Sequence, residues 1–139
     1  MSRYLLETTT WSRLRVDDPK VQVRLVSAQV NDDVFTCFIV KGEIRYGVER
    51  LPIGKRQQEI EQKANRLFSL LPCKPIPEEA GDYYGQLKHQ AEQLGTPLGE
   101  NDLWIAATAL ALDAILVTSD SDFQRVQGLF GLRLQDWAN

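Results

Sequence analysis

The chain has 139 residues, of which 43% are hydrophobic and 25% charged, with a formal net charge of −3. This length suits one domain spanning residues 1–139 with its own core, and the composition excludes a disordered chain or a disulfide-stapled miniature fold. No apolar run reaches the roughly 18 residues of a membrane-crossing helix, and the N-terminus turns polar too early for a signal peptide, so a cytoplasmic protein without membrane association is expected.

Cys37 and Cys73 lack metal-ligand spacing and sit in apolar surroundings, so both are expected to be reduced core thiols. His89 is the only histidine. That excludes a multi-histidine zinc site, and without a GxSxG-like elbow it argues against a Ser-His-Asp triad. His89 is expected on a helix surface. Charge is unevenly spread: residues 1–70 hold 12 Lys and Arg against 9 Asp and Glu, and residues 71–139 hold 4 against 10. Such asymmetry allows a basic rim beside an acidic site.

Tyr4-Leu5-Leu6 is a short apolar run that reads as a buried strand presenting Glu7 at its end. Thr8, Thr9 or Thr10 would cap a following helix through Trp11 and Leu14. Asp17-Asp18-Pro19 marks a turn and a helix start. Lys20 to Val30 places Val21, Leu25, Val26 and Val30 near helical spacing. Asn31-Asp32-Asp33 breaks that helix, and Val34 to Cys37 is a second strand.

From Phe38 to Leu51 the residues Val40, Ile44, Gly47, Val48 and Leu51 share one helical face. Glu43 lies at its edge, where a carboxylate needs a partner or a task. Gly42 and Gly47 each cost a helix about 1 kcal/mol against Ala, which suggests close packing or close ligand approach. Lys55 to Leu71 is a long helix with Ile60, Ala64, Leu67, Phe68 and Leu71 inward. Cys73 to Ile76 reads as a short edge strand because of Pro75. Pro77-Glu78-Glu79 opens a helix that runs to Leu94 and stops at Gly95.

The stretch from Gly99 to Leu112 puts acidic and amide groups ahead of an apolar helix, with Asn101 as the expected cap and Asp102 in the first turn. Its body is apolar nearly all round, as in a helix buried on more than one side. Ile115 to Thr118 is a continuous apolar strand of the kind buried on both faces. Ser119-Asp120-Ser121-Asp122 follows, and Leu132 to Trp137 alternates as a last edge strand.

Strands alternating with helices predict an α/β chain with a parallel sheet between helical layers. In open α/β sheets ligands bind beyond the carboxyl ends of strands. Glu7 and Asp120, with Asp122 beside it, would share that edge. Asp102 heads the helix entering the same strand, and Glu43 can lean over it. Gathered carboxylates without histidine form an oxygen-only site, and a divalent cation is the physical reason to gather them. Mg²⁺ or Mn²⁺ suits such ligation better than Zn²⁺, and such a site handles phosphate, with metal-bound water as the nucleophile and the ion neutralising charge on the phosphoryl oxygens.

The order of an apolar strand with Glu7-Thr8-Thr9, then Glu43-Ile44-Arg45-Tyr46-Gly47, then Glu100-Asn101-Asp102-Leu103-Trp104-Ile105-Ala106-Ala107, then Leu116-Val117-Thr118-Ser119-Asp120-Ser121-Asp122-Phe123 resembles a PIN domain. More narrowly it resembles the VapC-type toxins of bacterial toxin–antitoxin pairs, over essentially the whole chain. The resemblance implies a three-layer α/β/α sandwich and a metal-dependent endoribonuclease that acts on structured RNA such as tRNA. Its carboxylates map onto Glu7, Glu43, Asp102 and Asp120, with Asp122 auxiliary and Thr8 and Ser119 as polar helpers. The resemblance also implies a cognate VapB-type antitoxin whose tail covers the site, and a homodimer.

One departure stands out. The first acid of the family is typically Asp, and here it is Glu7. The longer arm moves the carboxylate by about one C–C bond, and Mg²⁺ tolerates misplacement poorly. A catalytically impaired module that only binds RNA or antitoxin is therefore the alternative reading. Lys41, Arg45 and Arg50 are expected to contact RNA phosphate, and Trp104 to serve core packing.

Two other phosphate chemistries fit poorly. A haloacid-dehalogenase phosphatase needs a DxD after its first strand. A receiver domain needs a late Lys, and none follows Lys88.

Overall fold

The computed structural model describes residues 1–139 throughout. Four strands form one all-parallel sheet in the order β2-β1-β3-β4. They are β1 (Arg3–Leu6), β2 (Asp33–Phe35), β3 (Ile115–Val117) and β4 (Leu134–Gln135). The helices are α1 (Thr8–Arg15), α2 (Pro19–Asn31), α3 (Phe38–Glu49), α4 (Lys55–Leu70), α5 (Glu79–Gln93) and α6 (Glu100–Ala111). A 3-10 turn follows β3 over Ser121–Val126. Parallel neighbours require crossovers, and helices supply them, which gives the expected α/β/α sandwich. No helix is long and apolar enough to cross a membrane.

The central strands are apolar on both faces because helices cover both. Leu5, Leu6, Phe35, Leu116 and Val117 are fully buried. α6 contributes Leu103 and the buried run Ile105 to Ala109 to the same core. Its small Ala side chains let other elements approach closely on several sides. α5 packs along α6 and buries Ala80, Leu87 and Ala91. It ends where Gly95 takes φ +71°, a conformation glycine adopts without steric cost.

The helix starts show where local chemistry governs. Asp18 caps α2 by accepting from the amides of Lys20 (3.0 Å) and Val21 (3.2 Å), with Pro19 in the first turn, as the sequence reads. At α1 the cap is Glu7 rather than a threonine, because its carboxylate accepts from the Thr9 amide. At α6 the cap position belongs to Gly99, and Asn101 lies inside the helix.

Four further expectations need correction. The buried residues of α2 are Val21, Leu25 and Ala28, while Val26 and Val30 face solvent. The i, i+4, i+7 set won over the alternative stripe, because only one side of α2 meets the sheet. Cys37 is buried, but Cys73 is exposed. No strand forms at Cys73 to Ile76; only a single bridge pairs Cys73 with Thr36, and Pro75 has no N–H to extend it. Gly42 and Gly47 do not mark tight packing, since a Cβ at either would meet nothing within 4 Å. They leave open space instead. His89 is exposed, as expected.

Candidate active site

β1 and β3 are direct neighbours, with Leu6 in register with Val117. The next residues, Glu7 and Thr118, therefore leave the sheet side by side. The ladder continues one step further, as the Glu7 amide donates to the Val117 carbonyl at 2.9 Å. Parallel register thus brings together residues 111 apart in sequence at one edge of the sheet.

Glu7 is only 3% exposed. Its Oε1 accepts from the Thr9 amide (3.0 Å), the Thr9 hydroxyl (2.6 Å) and the Thr118 hydroxyl (2.6 Å). Burial pushes its carboxyl above the ordinary value, the three donors pull it back in part, and the Asp120 charge pushes it further up. The two hydroxyls accept in turn: Thr9 Oγ1 from the Ser119 amide (2.8 Å), Thr118 Oγ1 from the Asp120 amide (3.0 Å). Asp120 then accepts from the Asp122 amide at 2.9 Å and starts the 3-10 turn.

Asp102, in the first turn of α6, meets this loop from above. One carboxylate oxygen from each of Asp102, Asp120 and Asp122 lies within 4.8 Å of the others. Neither Asp102 nor Asp120 is in an ion pair, and Asp122 has only Arg125 at 3.4 Å. Burial first, and then the charges of Asp120, Glu7, Glu43 and Asp122, push the Asp102 carboxyl up to about 6. The other four carboxylates nominated from the sequence thus lie near enough for their charge to act on Asp102, but only Asp102, Asp120 and Asp122 group closely. Glu7 and Glu43 lie outside that group of three.

Glu43 is held from two sides, by the Thr8 hydroxyl at 2.6 Å and more loosely by the Asn101 side-chain amide at 3.4 Å. Ser119 turns its hydroxyl away to Asp136 at 2.8 Å. There the Ala138 amide and the Asn139 side chain also donate, and these contacts outweigh burial and hold the Asp136 carboxyl below its usual value. Lys41 and Arg45 lie over the Phe68 ring at 5.2 and 4.9 Å, and Arg50 over Tyr46 at 5.9 Å. Trp104 stacks on Tyr84 with ring centroids 3.9 Å apart, and Lys88 pairs with Glu100 at 2.7 Å. Sequence reading missed Thr9 and Thr118 as organising groups. Their signal was a threonine two residues from a carboxylate, shortly after each of the two central strands.

A groove of about 370 Å³ opens beside Thr8 and Glu43, between α1, α3 and α4. Its floor includes buried Trp11, Val48 and Ala64, and exposed Arg15, Arg50 and Arg56 stand along it.

An all-parallel sheet with carboxylates gathered past its strand ends defines an α/β protein with an oxygen-only acidic cluster. The chain belongs to the PIN-domain family, whose model matches residues 4–129. Among curated relatives it is similar to Ribonuclease VapC1 of Haemophilus influenzae strain R2866, at 34% identity over 96% of this chain and 97% of that one. Two solved structures are similar over nearly their whole length, each at 29% identity. One is VapBC2 from Rickettsia felis bound to a DNA fragment from their promoter, with TM-score 0.85 over 97% of this chain and 98% of that one. The other is VapBC-1 from nontypeable Haemophilus influenzae, with TM-score 0.82 over 99% of both chains.

Proposed function

We propose that this chain is a divalent-metal-dependent endoribonuclease and the toxin of a VapBC-type pair. The observation that carries this reading is the close grouping of Asp102, Asp120 and Asp122 without a balancing cationic side chain on the first two. Three carboxylates at that separation fit a hard cation such as Mg²⁺ or Mn²⁺, which would offset their mutual repulsion. When bound, the ion supplies activation of water and neutralisation of charge on the phosphoryl oxygens.

The chain's own residues do the rest. Asp102, Asp120 and Asp122 would hold the ion. Glu43, oriented by Thr8 and Asn101, adds negative charge at the mouth and orients water. Glu7 joins the first strand to the acidic loop. Lys41 and Arg45 on α3 and Arg50 at its C-terminal cap offer cations to the RNA backbone, with affinity that falls as salt rises. Structured RNA such as tRNA is the proposed substrate.

The groove between α1, α3 and α4 suits the antitoxin tail. Apolar tail side chains would cover Trp11 and Val48, and tail acids would meet Arg15, Arg50 and Arg56. Exposed Phe38 and Tyr46 on α3, with Gly42 between them, suit a contact with a second copy.

Incubating total RNA with the protein, with and without Mg²⁺, and with Asp102→Asn as control, tests the reading. Cleavage that needs both the ion and Asp102, with 5′-phosphate products, supports it. Cutting that persists undiminished in the Asp102→Asn protein overturns it. RNA binding without any cleavage in Mg²⁺ or Mn²⁺ would favour the impaired-module alternative that Glu7 raises.

A further inference from the structure

We infer that Asp136 is a positioning residue of the acidic site: its carboxylate holds the Ser119 hydroxyl, and through Ser119 it fixes the backbone that presents Asp120. This rests on the reading that an ion sits among Asp102, Asp120 and Asp122.

Sheet register puts the two residues side by side. β4 pairs with β3 in parallel, with Val117 opposite Gln135. One further bond extends the ladder, as the Thr118 amide donates to the Gln135 carbonyl at 2.9 Å. Ser119 and Asp136 come next on their two segments, past the strand ends where the carboxylates gather. Ser119 Oγ donates to Asp136 Oδ1 at 2.8 Å. On its other flank the Ser119 amide donates to Thr9 Oγ1 at 2.8 Å. Ser119 is therefore gripped by its amide from α1 and by its hydroxyl from the segment after β4. Asp120 follows directly, so its backbone inherits that restraint.

An acceptor positions its partner only if it is itself held. β4 is two residues long, too short to hold Asp136 by ladder bonds alone. Side chains supply the anchor. Trp137 is buried and meets Tyr4 of β1 edge-on, with ring centroids 5.3 Å apart. Its Nε1 donates to Gln135 Oε1 at 3.0 Å, and Arg24 of α2 donates to the same oxygen at 3.1 Å. Asp136 also accepts from the Ala138 amide at 3.0 Å and from the Asn139 side chain. The carboxylate is thus the fixed end, and a bond to an ionised acceptor is stronger than one between neutral groups. Asp136 is outside the group of three carboxylates, so it acts on the site through Ser119. Groups that support a metal ligand from behind in this way typically change metal affinity by about 10- to 100-fold when removed.

Four variants isolate the path. Ser119→Ala removes the donor, Asp136→Ala the acceptor, and their double variant both. Asp136→Asn keeps an oxygen that can accept from Ser119 and Ala138 while removing the charge. The readouts are Mn²⁺ affinity by calorimetry and amide hydrogen exchange in the metal-free protein. Each alanine variant should lose Mn²⁺ affinity by about tenfold, and the double variant by no more than either one, because both remove the same contact. Asp136→Asn should stay within about threefold of wild type. Leu25→Ala, a core change on α2, should lower stability and leave Mn²⁺ affinity unchanged, which separates positioning from general loosening. In Asp136→Ala, protection at the Ser119 and Asp120 amides should fall by about tenfold. The Leu116 amide, held by the Arg133 carbonyl within the β3–β4 ladder, should stay within about threefold.

Unchanged protection at Ser119 and Asp120 in Asp136→Ala would overturn the tie. Lost protection with wild-type Mn²⁺ affinity would overturn the positioning role. A double variant about 100-fold weaker would show two separate effects and no path through Ser119, and Asp136→Asn as weak as Asp136→Ala would make charge, not the hydrogen bond, the cause. If wild-type protein binds no Mn²⁺, the ion reading fails on its own, and the exchange measurements still decide whether Asp136 fixes the loop.

Discussion

Thr8 donates its hydroxyl to Glu43 Oε1 at 2.6 Å, joining the first turn of α1 to the middle of α3 across 35 residues of sequence. The contact sits where the acidic hollow meets the groove between α1, α3 and α4. It holds a carboxylate that would otherwise swing into solvent, and so it sets the shape of the entrance.

Thr8→Val should expose the value of that contact. A hydrogen bond to a charged group contributes about 1.5–3 kcal/mol when well buried, and half-buried partners scale this to about 1 kcal/mol. Urea unfolding should show a loss of that size. At this chain length it corresponds to a Tm lower by about 2–4 °C. Wild-type stability in the variant would mean the pair is ornamental.

The pH dependence of stability should carry the mark of Asp102. Its carboxyl is raised from 3.8 to about 6 in the folded chain, first by burial and then by its acidic neighbours. Between these values the folded protein holds a proton that the unfolded chain has released. Stability of the metal-free protein therefore falls as pH rises from about 4 to about 6, and stays lower above. With allowance for solvent screening of a half-exposed group, the effect is on the order of 1 kcal/mol. Asp102→Asn in EDTA should then be more stable than wild type by about that much at pH 7.5, and nearly equal to it at pH 4. Equal destabilisation at both pH values would contradict the sign.

Divalent metal should reverse that penalty. A ligand that binds only the folded state adds about 2.7 kcal/mol at 100 times its Kd. Mg²⁺ or Mn²⁺ should raise the Tm of wild-type protein by several degrees at pH 7.5 and much less at pH 5, where Asp102 is mostly protonated. The shift should be lost in Asp120→Asn. Differential scanning fluorimetry with EDTA as reference is sufficient.

Two neighbouring residues of α2 should respond in opposite ways. Leu25 is 6% exposed and Val26 is 65% exposed. Leu25→Ala should cost about 2–4 kcal/mol through lost burial and the cavity left behind. Val26→Ala should stay within about 0.5 kcal/mol, as surface changes do. Similar losses at both would mean that α2 is buried on a second side in solution.

The sequence by itself determined whatever depends on a few consecutive residues. The alternation of strands and helices, the Asp18-Pro19 start of α2, the stop at Gly95, the all-round apolar α6 and the run through Leu116 and Val117 are all readable from spacing and capping chemistry. So is the short set of carboxylates that could share a strand-end hollow. Only the tertiary structure decided how that set divides. Asp102, Asp120 and Asp122 close on one another, Glu7 turns its Oε1 to Thr9 and Thr118, Glu43 goes to Thr8, and Ser119 goes to Asp136. The same holds for the exposure of Cys73 and Val26. The physical reason is range. Helix period and caps act over about four residues, whereas the partners of Glu7 are chosen by the parallel register of Leu6 with Val117, which brings together segments more than a hundred residues apart.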